Sequence, residues 1–95
     1  MPISHHLMVH PDKEKIEKII SHPQALAQCY HFLDKEYKEV IKQEFGSTAA
    51  AAKRVAENPE KKYAAIANLY AAKFYNLKVL HSNIQDFEQN HTKFI

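Results

Sequence analysis

Hydrophobic and polar positions divide this chain into short segments that alternate between two periods. Ile3, His5, Leu7 and Val9 recur at period two, the spacing of one face of a strand, and Pro11-Asp12 breaks the run. Lys15 to Ile20 is a second short strand candidate, with Ile16, Ile19 and Ile20 as its apolar content. At Ser21-His-Pro-Gln24 the period changes. Ser21 followed by Gln24 fits a capping box, and Pro23 suits the first turn of a helix. Leu26, Cys29/Tyr30, Leu33 and Tyr37 then recur at helical spacing. Val40 to Phe45 predicts a strand, ended by Gly46. Ser47-Thr48 opens an alanine-rich helix running from Ala49 to about Ala56, which Asn58-Pro59 stops. Ala64-Ala-Ile-Ala67 is short, small and apolar, as in a central strand covered on both faces. Asn68 is placed to cap a helix through Tyr75, with Asn76 as its left-handed terminator. Leu77 to Leu80 predicts a further strand and Ile84 to Gln89 a helical turn.

Strand, tight turn, polar cap and helix thus follow one another three times over. This order predicts an α/β fold, a three-layer sandwich in which helices cover a largely parallel sheet of about five strands. In such a sheet the strand-to-helix turns line up along the carboxyl edge of the strands, where ligands bind. Those turns carry Ser21-His22, Gly46-Ser47-Thr48 and Asn68. Helix N-termini bearing hydroxyls, one of them behind a glycine that lets a backbone come close, suit a carboxylate or phosphate. Ser, Thr and Asn also cap helices that bind nothing, so this pattern alone names no ligand.

Composition narrows the class. The 95 residues allow one small domain; 45% are hydrophobic and 25% charged, which excludes a disordered chain. No stretch approaches the roughly 20 apolar residues of a membrane span. The N-terminus has no basic segment followed by an apolar block, so no secretory signal is read and a cytoplasmic protein is expected. A formal charge of +2 with seven scattered histidines is no nucleic-acid footprint. Cys29 is the single cysteine; it sits on the apolar stripe of its helix and is expected to be a buried small hydrophobe. His5, His6 and His10 invite a metal reading, but on a strand His6 and His10 share a face while His5 points away. No cysteine or carboxylate completes a set, and no metal is expected. A chain this short also tends to lean on a partner.

The block Ser21-His-Pro-Gln-Ala-Leu-Ala-Gln-Cys29 resembles a signature of the prephenate dehydratases. Four further stretches match the family in order. They are the opening Pro2-Ile-Ser-His-His-Leu-Met-Val-His10, Gly46-Ser-Thr-Ala-Ala-Ala-Ala52, Ala64 to Ala67 leading into Ala71-Ala-Lys-Phe-Tyr-Asn-Leu77, and Asn90-His-Thr-Lys-Phe94. The resemblance covers nearly the whole chain. It implies residues 1–95 as a single α/β lobe, the second subdomain of a two-lobed catalytic domain of the periplasmic-binding-protein-like type II kind. The glycine-rich turn opening the first subdomain is absent from the sequence, as is the regulatory phenylalanine-binding domain that usually follows. The chain alone is therefore expected to have little or no activity, with the missing first subdomain, or a second copy forming a homodimer, covering its exposed face.

The activity implied is conversion of prephenate to phenylpyruvate, with loss of water and carbon dioxide, in L-phenylalanine biosynthesis; no cofactor is needed. The resemblance also implies roles. Thr92 matches the threonine of the family's Thr-Arg-Phe motif and is expected to hydrogen-bond the departing hydroxyl, with Asn90 orienting it. Ser21 and Gln28 match pocket-lining positions. Ser47 and Thr48 are carboxylate donors by the helix-mouth argument. Lys93 replaces the family's arginine, which keeps the charge and loses the planar fork that grips a carboxylate twice. Gly46 stands where some relatives carry a carboxylate. His22 lies beside the site and is the histidine to mutate. A second reading of the same residues is a stand-alone small-anion-binding or interaction module of this fold, without catalysis.

Overall fold

The computed structural model describes residues 4–11 and 15–86. Nine elements follow in order: β1 (His6–Val9), β2 (Lys18–Ser21), α1 (Pro23–Gln28), α2 (Tyr30–Glu36), β3 (Ile41–Glu44), α3 (Thr48–Glu57), β4 (Tyr63–Ala67), α4 (Leu69–Tyr75) and β5 (Lys78–His81). The strands form one sheet in the order β3-β2-β4-β1-β5. β2 pairs in parallel with both β3 and β4, whereas β1 runs antiparallel to its neighbours β4 and β5. Four strands therefore share a direction and the first opposes them. The expected five-stranded α/β sheet is present, but it is mixed rather than largely parallel in its pairing: the two ladders of β2 are parallel and the two of β1 antiparallel, a reversal that the alternation of residues did not disclose.

Alternation along the strands sorts the core into two faces. Leu7, Val9, Ile19, Ala64 and Ile66 meet Ala25, Cys29 and Leu33 of α1 and α2. Met8, Ile20, Ala65 and Ala67 meet Ala51, Ala52 and Val55 of α3 and Ala72 of α4. That is the expected three-layer sandwich. In β4, residues Ala64 to Ala67 are wholly buried, and their small side chains let α3 lie close on the sheet. Among the described residues no helix is long and apolar enough to cross a membrane.

Local chemistry sets the helix ends. Ser47 Oγ accepts from Ala50 N at 3.0 Å and Asn68 Oδ1 from Ala71 N at 3.0 Å, as polar caps do. Asn76 closes α4 in the left-handed region, at φ 59°. Three readings need correction. The cap of α1 is His22 rather than Ser21: its Nδ1 accepts from Gln24 N at 3.0 Å, while Ser21 is the last residue of β2. The helix predicted through Tyr37 is divided at Cys29, whose backbone leaves helical geometry at φ −112°, ψ 19°. Ile84 to Asp86 is not helical, and the rest of the turn predicted there, Phe87 to Gln89, lies outside the described residues.

Cys29 fills the seam between α1 and α2 with no exposure. Burial, helped by the nearby Asp86 charge, pushes its thiol up to about 12. At mildly alkaline pH almost no thiolate exists, and none is accessible. A disulfide reagent is therefore expected to modify native Cys29 on the order of a hundredfold or more slowly than the urea-unfolded chain. Absorbance of the released thiol anion measures both rates.

Candidate active site

Because β1 runs against the others, its amino end lies at the carboxyl edge of β2, β3 and β4; the pairing of His6 with Ala67 fixes that register. His5 therefore meets the turns after β2 and β3. Together they enclose an open pocket of about 320 Å³ lined by His5, His22, Gln24, Ala25, Gln28, Ser47 and Thr48. None of these side chains is a carboxylate. Amides, hydroxyls and imidazoles line the cavity, beside the first turn of α3, whose leading N–H groups have no partners within the helix. A pocket so built receives oxygen acceptors, above all anionic ones.

Gln28 closes α1 and turns its side chain to His5, with Oε1 2.6 Å from the ring Nε2. The amide oxygen has no hydrogen to give, so the ring nitrogen is the donor. His22 also lines the pocket. Its Nδ1 is committed to the cap, so a neutral ring carries its proton on Nε2. Behind the pocket runs a short strap, Ile84 to Asp86. Ile84 N donates to His5 O at 3.0 Å, His5 N donates to Gln85 Oε1 at 2.9 Å, and Asp86 N donates to Gln28 O at 2.8 Å. The buried Asp86 carboxylate then accepts from His31 Nδ1 at 2.9 Å, at the start of α2. Asp86 thus serves both helix ends exposed by the break at Cys29.

Of the residues singled out from sequence, Gln28, Ser47, Thr48 and His22 come together in the pocket. Ser21 does not join them. It is wholly buried, and its Oγ donates to Ile66 O at 2.7 Å, bracing β2 against β4. Asn90, Thr92 and Lys93 lie outside the described residues. Gly46 needs no glycine-only conformation, and a Cβ there would meet nothing within 4 Å, so no close backbone approach within this chain explains it. Sequence reasoning missed His5 as a pocket residue. The available signal was a polar residue extending the apolar face of Leu7 and Val9 beyond the strand's end. Among the described residues no three His, Cys, Asp or Glu side chains are grouped to hold a metal ion.

Fold and pocket define an α/β lobe with a donor-rich pocket at the carboxyl edge of its sheet. The family model described as prephenate dehydratase matches residues 1–95, and the chain belongs to that family. It is 43% identical over 99 aligned positions to the prephenate dehydratase of Bacillus subtilis strain 168, covering all of this chain and 35% of that protein. The crystal structure of the Arthrobacter aurescens prephenate dehydratase in complex with L-Phe superposes with a TM-score of 0.83 at 31% identity, over 90% of this chain and 29% of that one. GqqA, described as a novel type of quorum quenching acylase, superposes equally well, with a TM-score of 0.83 at 27% identity over 90% of this chain and 32% of its own. The chain thus spans about a third of the length of these three relatives.

Two outcomes follow for residues around the pocket. Ser21→Ala removes a buried donor from Ile66 O and is expected to lower unfolding stability by about 1 kcal/mol, read from urea denaturation. His6 is buried and its Nδ1 accepts from Asn83 N at 3.4 Å. Burial first, and the neighbouring His5 second, hold the His6 pKa below its ordinary 6.5. Below that value the unfolded chain takes up a proton that folded His6 refuses. The contribution of neutral His6 is therefore complete above pH 6.5 and is lost as pH falls through the lower folded value. The urea midpoint should drop between about pH 7.5 and about pH 5.5, and less so in His6→Asn, which keeps an acceptor but cannot titrate.

Proposed function

We propose that this chain is the second subdomain of a dehydratase catalytic domain and forms one wall of a cleft in which prephenate becomes phenylpyruvate, in the cytoplasm, during L-phenylalanine biosynthesis. The observation that carries this reading is the donor-lined pocket built from the blocks that match the family, Ser21 to Cys29 and Gly46 to Ala52. Prephenate brings two carboxylates and a ring hydroxyl. In the reaction the C–CO₂ bond breaks, its electron pair joins the ring as aromaticity forms, and the hydroxyl leaves with one proton as water. A protein assists by anchoring the carboxylates and by hydrogen-bonding the departing oxygen.

Thr48, with the first turn of α3, is assigned to a carboxylate, and Ser47 holds that turn in place by its cap. Gln28 and His22 supply donors from the facing side. Thr92 is assigned to the leaving hydroxyl, oriented by Asn90, and Lys93 supplies a positive charge nearby. A threonine hydroxyl is a poor acid alone, so Thr92 acts as a hydrogen-bond donor within a network. An apolar stretch supports a cleft completed by another part of the enzyme. Leu69, Tyr70 (83% exposed) and Phe74 (79% exposed) lie on α4, which begins at the carboxyl edge of β4.

Phenylpyruvate formation from prephenate tests the reading, with the purified chain alone and with the first subdomain added in trans. Activity is expected only on mixing, and Thr92→Ala should lower it on the order of a hundredfold. Turnover by the chain alone would show that one chain, or its dimer, builds a complete pocket. Silence from both, with both pieces folded, would favour a binding module without catalysis.

A further inference from the structure

The pocket holds a residue that the function above leaves without a task. His5 is 8% exposed and is fixed along its backbone on both sides, its N–H by Gln85 Oε1 and its carbonyl by Ile84 N. Its ring reaches Gln28 Oε1 at 2.6 Å, a short bond between two side chains that both line the cavity. The same strap that fixes His5 also holds the backbone of Gln28, through Asp86 N. Donor and acceptor are thus clamped by one three-residue segment, which leaves the Gln28 amide little freedom.

A glutamine amide is two-faced: one end accepts, the other donates twice, and a free side chain presents either. We infer that His5 is a positioning residue that takes the amide oxygen of Gln28 and so turns the amide nitrogen toward substrate. The pocket then offers hydrogen-bond donors where an unconstrained amide would also offer an acceptor. A substrate oxygen bearing negative charge, or a hydroxyl leaving with its electron pair, is favoured over a group that must donate. This deepens the dehydratase reading and rests on it for the identity of the substrate. The orientation itself rests only on His5 and Gln28.

The tautomer of His5 tests the orientation without any ligand. Nitrogen-15 NMR of the 95-residue chain, above the titration of its histidines, should show His5 Nε2 protonated and Nδ1 bare, with the Nε2 signal moving in Gln28→Ala. A bare Nε2 would overturn the proposal, because the amide would then donate to the ring and offer its oxygen to the pocket. Prephenate binding, followed by amide chemical shifts, tests the consequence. His5→Phe keeps a ring but no donor and should weaken binding about tenfold, while His5→Gln, which restores a donor, should recover part of the loss. Wild-type affinity in a folded His5→Phe chain would overturn the positioning role, as would equal loss in both variants. If the wild-type chain binds no prephenate even with the first subdomain added, the substrate reading fails, and the tautomer alone then upholds or overturns the orientation.

Discussion

Everything at the pocket depends on β4 being buried on both faces and paired along both edges. Its backbone polar groups have no water to turn to, so they must be matched by β2 on one side and β1 on the other. The alanines that make β4 slim admit α3 and hold the N-terminus of that helix over the sheet edge. The register of β1 on β4, with His6 opposite Ala67, brings His5 to the same edge. Ser21 secures the other side by giving its hydroxyl to Ile66 O. Packing constraints at the centre of the sheet thereby become distances between side chains at its rim.

Much of this was legible in the sequence where the physics is local. Asn68 and Asn76 bracket α4 as their side chains and backbone preferences dictate, and Ser47 caps α3. The covered character of Ala64 to Ala67 followed from size and polarity. The failures share a cause, which is that the deciding partner is far away along the chain. Ser21 has the chemistry of a cap, yet Ile66, 45 positions on, claims its hydroxyl and leaves His22 to cap instead. The division at Cys29 is served by Asp86, 55 positions from His31. The direction of β1 is invisible to alternation, because a reversed strand keeps its period. His5 was lost with it, since a strand's amino end reaches a ligand edge only when the strand runs backwards.

The chemistry of the site has one theme, the arrangement of donors with no carboxylate beside them. The Ser47 cap, the first turn of α3, the Gln28 amide and the His22 imidazole converge on one small volume. Each is weak when exposed to water. In the function proposed above, donors held in place and partly screened from water would need no reorganisation as charge moves on a substrate, which is the basis of electrostatic preorganisation. The exposed apolar residues Leu69 and Tyr70, at the start of α4, border this edge, as the proposed second wall of the cleft would require.

The place of β1 in the sheet also dictates an order of assembly. It is the first strand in sequence, yet it lies between the last two, β4 and β5. The units from β2 to β4 need only short crossovers to associate, whereas β1 has no slot until β4 has formed. The contact from His5 to Gln85 closes a span of 80 positions, among the most expensive loops this chain can close. The β2 and β3 sides of the pocket can therefore exist before the β1 side does. In a chain emerging amino end first, β1 is therefore made before the strand that receives it; the pocket acquires His5 only once β4 is in place, and β5 in turn finds an edge only on β1.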